Sequence, residues 1–299
     1  MMSLRSKIEL KIAIFGIGFL GSKLMELIPN KYSVIGADIH PSNSLVHKID
    51  ATNRTEVENF LIREKPDVVI DTIALSSYFS CEKNPELCKL LNYETAKYIS
   101  NACKIIDAKM VFISSSYLFD GKDGGYDETD IPNSTNQYAQ SKILAENIVL
   151  ESNSSIVVRL ESLYGYSEDK QQIMFGTNTF QKPIQVAFPD ILRSPVFVDD
   201  VPKIIIGLVE RKESGIFHIA SAKKLRWLGF LKELGSLTNS EDKITIVDSS
   251  SWILKPPHDS TLDSSKINNL GLETTPVEVA LVELRTVLGA KKVLSNKPL

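Results

Sequence analysis

The sequence predicts an α/β fold, a doubly wound parallel sheet with helices on both faces, because short β-branched runs alternate with helix-period runs through residues 11–160. Two further observations shape the expectation. A glycine-rich turn stands directly after the first strand, and beyond about Gly165 the rhythm gives way to polar and proline-containing stretches. The expected layout is one domain over residues 1–165 and a smaller, irregular C-terminal α/β lobe over 166–299, with some of its segments returning to the sheet.

KIAIF (11–15) reads as the first strand, followed by a helix over 19–28. YSVIGAD (32–38) is the second strand and HKIDA (47–51) a short extended segment. Residues 54–65 form an amphipathic helix whose Val57, Phe60 and Leu61 share a face. DVVIDTIA (67–74) is a strand, 85–105 a long helix, KMVFISS (109–115) a strand, 138–151 a helix and SIVVRL (155–160) a strand. Consecutive parallel strands need right-handed crossovers, which makes double winding the default. Further helices are expected within 198–210, 226–237 and 276–288.

Charge and composition exclude several classes. With 34 basic and 37 acidic side chains in 299 residues, the net charge of -3 provides no bulk positive field for nucleic acid or an anionic membrane. No apolar run reaches the length of a membrane span, and MMSLRSKIELK has no signal-peptide core, so a cytoplasmic location is expected. Cys81, Cys88 and Cys103 fit neither a zinc pair nor a redox C-x-x-C and are expected as reduced, partly buried thiols. His40, His47, His218 and His258 lack metal-ligand spacing, so no metal is expected.

Gly16-Ile17-Gly18-Phe19-Leu20-Gly21 spells G-x-G-x-x-G between strand and helix. Glycines there permit a tight turn and close approach of a pyrophosphate to the backbone, while the helix N-terminus supplies amide donors. Asp38 ends the second strand 22 residues beyond Gly16, where a carboxylate accepts hydrogen bonds from ribose hydroxyls. That carboxylate repels a 2′-phosphate, which favours NAD(H) and leaves NADP(H) open. The sheet is thus expected to be of the Rossmann type.

Tyrosine four residues before lysine puts a phenol and an ammonium on one helix face, where the cation lowers the phenol pKa. The spacing occurs at Tyr93 and Lys97, at Tyr138 and Lys142, and at Tyr166 and Lys170. Only Tyr138 and Lys142 open a helix downstream of a strand ending in hydroxyls, Ser114-Ser115-Ser116, at the carboxyl edge of the sheet. Tyr93 and Lys97 come one crossover early. Tyr166 and Lys170 read as part of a polar loop.

With these residues in place, the chain resembles the extended short-chain dehydrogenase/reductase family. It is most similar to the branch of the dTDP-4-dehydrorhamnose reductases and the related methionine adenosyltransferase β subunit. The stretches carrying this are MVFISSSYLFDG (110–121), YDETDIPNSTNQYAQSK (126–142), VVRLESLYG (157–165), RSPVFVDDV (193–201) and KPPHDSTLDSSK (255–266). The resemblance implies Ser115, Tyr138 and Lys142 as the catalytic group. It implies Gly16, Gly18, Phe19, Leu20, Asp38, Asp50, Ala51, Ile73, Ala74 and Asn92, together with Tyr138 and Lys142, as the dinucleotide site. Ser76, Ser116, Arg193, Lys255 and His258 are implied for a nucleotide-sugar pocket in the C-terminal substrate lobe. Departures from the pattern are Phe15 in place of a first glycine, Ser116 in place of an aspartate, Ser162 in place of an aromatic residue and Lys255 in place of an arginine.

The leading expectation is an NAD(P)H-dependent reductase of a nucleotide-linked keto sugar. An epimerase or dehydratase that retains NAD is one alternative, although Ser116 stands where the dehydratases carry an acid. A non-catalytic, dinucleotide-binding regulatory subunit is another, because fold does not fix function. Whether the long helices 86–103 and 138–151 also form a homodimer interface stays open.

Overall fold

The computed structural model describes residues 10–41, 43–176, 178–250 and 255–295. The reading of residues 1–9 as free of a leader lies outside them. In chain order the first half runs β1 (Lys11–Phe15), α1 (Phe19–Leu27), β2 (Ser33–Asp38), β3 (Val46–Lys48), α2 (Arg54–Glu64), β4 (Val68–Asp71), α3 (Tyr78–Lys83), α4 (Pro85–Lys89), a π turn (Leu90–Glu94), α5 (Thr95–Ile106), β5 (Lys109–Ser115), α6 (Gln137–Leu150) and β6 (Ile156–Leu160). The second half runs β7 (Leu163–Ser167), β8 (Gln172–Phe175), β9 (Asn178–Thr179), β10 (Ile184–Val186), β11 (Leu192–Arg193), β12 (Val196–Phe197), α7 (Asp200–Glu210), β13 (Gly215–Ile219), β14 (Leu225–Arg226), α8 (Trp227–Ser236), β15 (Ile244–Ile246), α9 (Ser265–Asn268) and α10 (Val277–Ser295).

Seven parallel strands form the central sheet in the order β13-β6-β5-β4-β1-β2-β3. The order reverses between β4 and β1, so the loops after these two strands part and leave a crevice at the carboxyl edge. Alternate residues of each central strand feed opposite faces. Ile12, Ile14, Val68 and Ile70 pack with α1 and α7, while Ala13, Phe15, Val69 and Phe112 pack with α2, α5 and α6. Residues beyond 165 supply β13 and α7 to this layer. They also build a four-stranded sheet, order β12-β7-β8-β9, whose aromatic core packs on α8 and α10. Among the described residues no helix is long and apolar enough to cross a membrane.

Local chemistry sets most element ends. The Asn53 side chain accepts from the Thr55 and Glu56 amides to start α2, and Asn136 accepts from the Ala139 amide at 2.8 Å to start α6. Several expected bounds move. The strand expected over 67–74 ends at Asp71, which puts Ile73 and Ala74 in the crevice loop. The extended segment 47–51 pairs only as Val46–Lys48. The long helix 85–105 is broken by the π turn, and α3 was not expected. Tyr166, expected in a polar loop, lies buried in β7.

Candidate active site

The glycine turn is a backbone device. Gly16 has φ +84°, a region that favours glycine, and a Cβ there would press on Ile73 and Thr72 at 3.0–3.1 Å. A Cβ on Gly21 would lie 2.0 Å from the Gly16 carbonyl oxygen, so α1 packs against the turn at a distance only glycine allows. Gly18 is exposed with open space around it, and as the N-cap of α1 it offers no side chain to the first amides of the helix. No acidic residue occupies the first turn of α1. An uncapped helix N-terminus behind an open glycine fits a pyrophosphate.

Asp38 faces this turn. Its Oδ2 accepts the Ile17 N–H at 2.7 Å and its Oδ1 the His40 N–H at 2.8 Å, which fixes the carboxylate at the end of β2 with further acceptor capacity on both oxygens. Asp50 accepts from the Thr52 amide and hydroxyl, so its carboxylate shapes the bend that carries Ala51. Across the crevice Thr72 donates to the Phe15 and Gly16 carbonyls at 3.0 and 2.6 Å, tying the loop of Ile73, Ala74 and Ser76 to the glycine turn. Ala74 and Ser76 are exposed on it. These residues fit a dinucleotide laid across the switch point. Asn92 does not join them. It is buried, donating to Ser141 Oγ at 3.0 Å and accepting the Leu75 N–H at 2.7 Å, so it positions the crevice loop and makes no open contact there.

Ser115, Tyr138 and Lys142 converge at the carboxyl end of β5. The Ser115 Oγ accepts the Tyr117 N–H at 3.2 Å and neighbours the Tyr138 phenol, favouring its charged form. Tyr138 is caged by Cys81, Cys88 and the edge of Tyr117. Lys142, one turn further on α6, is buried, with Nζ donating to the Ile113 carbonyl at 2.8 Å and lying 4.4 Å from the Phe112 ring centroid. Burial pushes the Tyr138 phenol up to about 12, with the Ser115 hydroxyl pulling the other way. This corrects the expectation of a lowered phenol: desolvation wins, and the phenol is a neutral donor at pH 7. Burial pulls Lys142 down to about 8 against the carboxylates of Asp71 and Glu146.

Beside this group opens a cavity of about 610 Å³ lined by Tyr78, Phe79, Tyr117, Phe175, Phe188 and Trp227, with the amides of Gln172, Asn178, Gln181 and Gln185 and, as the one lysine among the described lining residues, Lys182. Two residues expected to meet substrate here do not reach it. Arg193 is buried, with Nη1 donating to the Leu192 and Pro257 carbonyls and Nη2 to the Tyr117 hydroxyl at 3.2 Å; it clamps the 255–260 segment and orients Tyr117. Ser116 is buried against Ser260, whose hydroxyl donates to Glu161 at 3.0 Å. Lys255 and His258 are exposed, and the adjacent Pro256 lines the cavity. The aromatic lining went unread from the sequence. Only Tyr117 had a signal, its place two residues after Ser115; the rest arrive from α3, β8, α8 and a loop.

The doubly wound sheet, glycine turn and Ser–Tyr–Lys group define a Rossmann-type protein of the extended short-chain dehydrogenase/reductase class. More narrowly, the chain belongs to the family described as RmlD substrate binding domain, whose pattern matches residues 10–288. It is 25% identical over 280 residues to the methionine adenosyltransferase 2 subunit beta of Bos taurus, covering 89% of this chain and 84% of that protein. It is 26% identical over 294 residues to the dTDP-4-dehydrorhamnose reductase of Aggregatibacter actinomycetemcomitans, covering 90% of this chain and 95% of that one. The crystal structure of the dTDP-4-dehydrorhamnose reductase from Bacillus anthracis in complex with NADP is similar with a TM-score of 0.80 at 26% identity, covering 93% of this chain and 99% of that one.

Proposed function

We propose that this protein is a nicotinamide-dependent reductase acting on the carbonyl of a nucleotide-linked keto sugar. The observation that carries the reading is the convergence of Ser115, Tyr138 and Lys142 between the glycine-turn crevice and the aromatic cavity. A dinucleotide held by Gly16, Gly18, Phe19, Leu20 and Asp38 supplies the hydride when bound. The chain's own part is proton delivery. Tyr138, neutral and next to Ser115, donates its phenolic proton to the carbonyl oxygen as negative charge develops on it. Ser115 orients that oxygen with a second hydrogen bond, and Lys142 holds the nicotinamide ribose. The carboxylate of Asp38 favours NADH, since a 2′-phosphate beside it adds like charge.

The test follows NADH absorbance with a dTDP-4-keto-6-deoxy sugar. Sugar-dependent oxidation of NADH is expected, and Tyr138→Phe lowers kcat by about 10²–10⁴ with the fold intact. Full turnover by that variant refutes the mechanism. A second reading, a non-catalytic dinucleotide-binding subunit, is favoured by one observation: Arg193 is committed to carbonyls and Tyr117, leaving Lys182 as the one cation among the described cavity residues to meet a diphosphate. Tight dinucleotide binding without turnover, and a stoichiometric protein partner, would move the conclusion there.

A further inference from the structure

One charged group buried near Lys142 has no part in the chemistry above. Asp71 ends β4 with 1% of its surface exposed; Oδ1 accepts the Ile73 N–H at 3.0 Å, while Oδ2 is sealed from solvent without a hydrogen bond. A buried carboxylate oxygen left in this way is costly unless a nearby charge offsets it. Strand register shows which charge does so. Asp71 is paired with Phe15 on one side and Phe112 on the other, which puts the three side chains on the sheet face covered by α5 and α6. Lys142 descends from α6 onto that same face, its Nζ over the Phe112 ring at 4.4 Å. The orphan carboxylate and the ammonium therefore flank one phenylalanine.

We propose that Asp71 is a positioning residue for Lys142: its unpaired carboxylate keeps the lysine cationic and directed along β5 toward the mouth of the site. This rests on the reading of Lys142 as the group that meets the dinucleotide. The other titratable groups facing the lysine are Glu146 on α6, Cys88 on α4 and Cys81 on α3, and Cys103 on α5 faces Asp71. Burial pushes the Cys81 and Cys103 thiols up, so they stay neutral, and Glu146 is engaged by Arg159 at 2.8 Å. Asp71 is thus the acid left to act on Lys142. Burial pushes Asp71 up to about 6 and pulls Lys142 down to about 8, so both are charged between these values. Without the carboxylate, burial acts on the lysine with less opposition and its proton leaves at lower pH.

Asp71→Asn keeps an acceptor for the Ile73 N–H, removes the charge and puts an amide NH2 in place of the second carboxylate oxygen. NADH binding by fluorescence is measured from pH 6 to 10 on the wild type, D71N and K142M, with thermal melts at pH 8. Wild type and D71N are expected to bind alike at pH 6. Affinity then falls as Lys142 titrates, and in D71N that fall comes about one pH unit lower. K142M shows no such fall. At pH 8 Lys142 of D71N has shed its proton, so no buried cation is stranded and the melt changes little. The apolar variant D71L gives the same displacement and carries the test if D71N does not fold. Coincident pH profiles overturn the proposal, and a lower melt with an unchanged profile overturns it in favour of a structural role. Wild-type protein that binds no NADH at any pH overturns the dinucleotide reading itself, and this proposal with it.

Discussion

Breaking the ion pair between Arg159 on β6 and Glu146 on α6 should lower the melting temperature by an amount the structure lets one work out. Glu146 lies one turn beyond Lys142 and two beyond Tyr138, so this pair pins the helix that carries the Tyr138 phenol. Arg159 donates from Nη2 at 2.8 Å and from Nε at 3.0 Å, and the two side chains are 2% and 4% exposed. The other neighbours of the guanidinium are the Phe119 ring at 5.5 Å and His218 Nε2 at 3.4 Å. Burial and the Arg159 charge pull His218 down to about 3, so it is neutral and supplies no counter-charge. Glu146→Leu therefore strands a buried cation, at a cost of about 3–5 kcal/mol. An unfolding entropy of about 2.1 cal/mol/K per residue amounts to roughly 0.6 kcal/mol/K for the chain, so the expected fall in Tm is about 5–8 °C. The double variant E146L/R159M replaces both charges with apolar groups and should recover most of the loss. Calorimetry of the wild type, both single variants and the double variant decides. A fall below about 2 °C in E146L, or a double variant no better than E146L, refutes the reasoning.

Two further outcomes follow from neighbouring residues. Asp38→Ala removes the carboxylate aimed at the turn, and the NADPH-to-NADH affinity ratio should rise at least about tenfold, near 1.4 kcal/mol; a wild type that already prefers NADPH tenfold contradicts the role given to Asp38. His218 is held neutral, its Nδ1–H donating to the Tyr126 carbonyl at 3.0 Å. Its folded pKa of about 3 lies below the unfolded value of 6.5, so the unfolded chain binds the extra proton and His218 contributes stability above pH 6.5 that is lost as pH falls toward 3. Asp71 works oppositely between about 6 and 3.8. Denaturant titrations at pH 4–6 should show the slope of stability against pH reduced by about 1.4 kcal/mol per unit in H218N relative to wild type, and equal slopes would sink the assignment.

The parts of this protein legible in one dimension are those in which function is local. Gly16, Gly18 and Gly21 serve a turn whose demands are set by steric contact within a few residues, and Asp38 follows at the end of the next strand, so the order of signals along the chain predicts the crevice. Tyr138 and Lys142 lie one helical turn apart. Their meeting with Ser115 needed only that β5 and α6 be consecutive elements of a doubly wound sheet.

Electrostatics and access were decided by tertiary packing alone. Arg193 and Ser116 have the residue types of a substrate site, but the fold folds the 255–260 segment over them and spends their donors on Pro257 and Ser260. Asn92 is turned inward by the π turn onto Ser141. The phenol of Tyr138 is raised because Cys81, Cys88 and Tyr117 arrive around it from three separate elements, and the lysine spacing that suggests a lowered phenol carries no information about that desolvation. The sheet, the glycine turn and the spacing that groups Ser115, Tyr138 and Lys142 could be read along the chain, because they depend on backbone sterics and residue spacing. Which polar groups face the cleft and which are sealed beneath it is set by packing, because burial and its effect on charge come from neighbours distant along the chain.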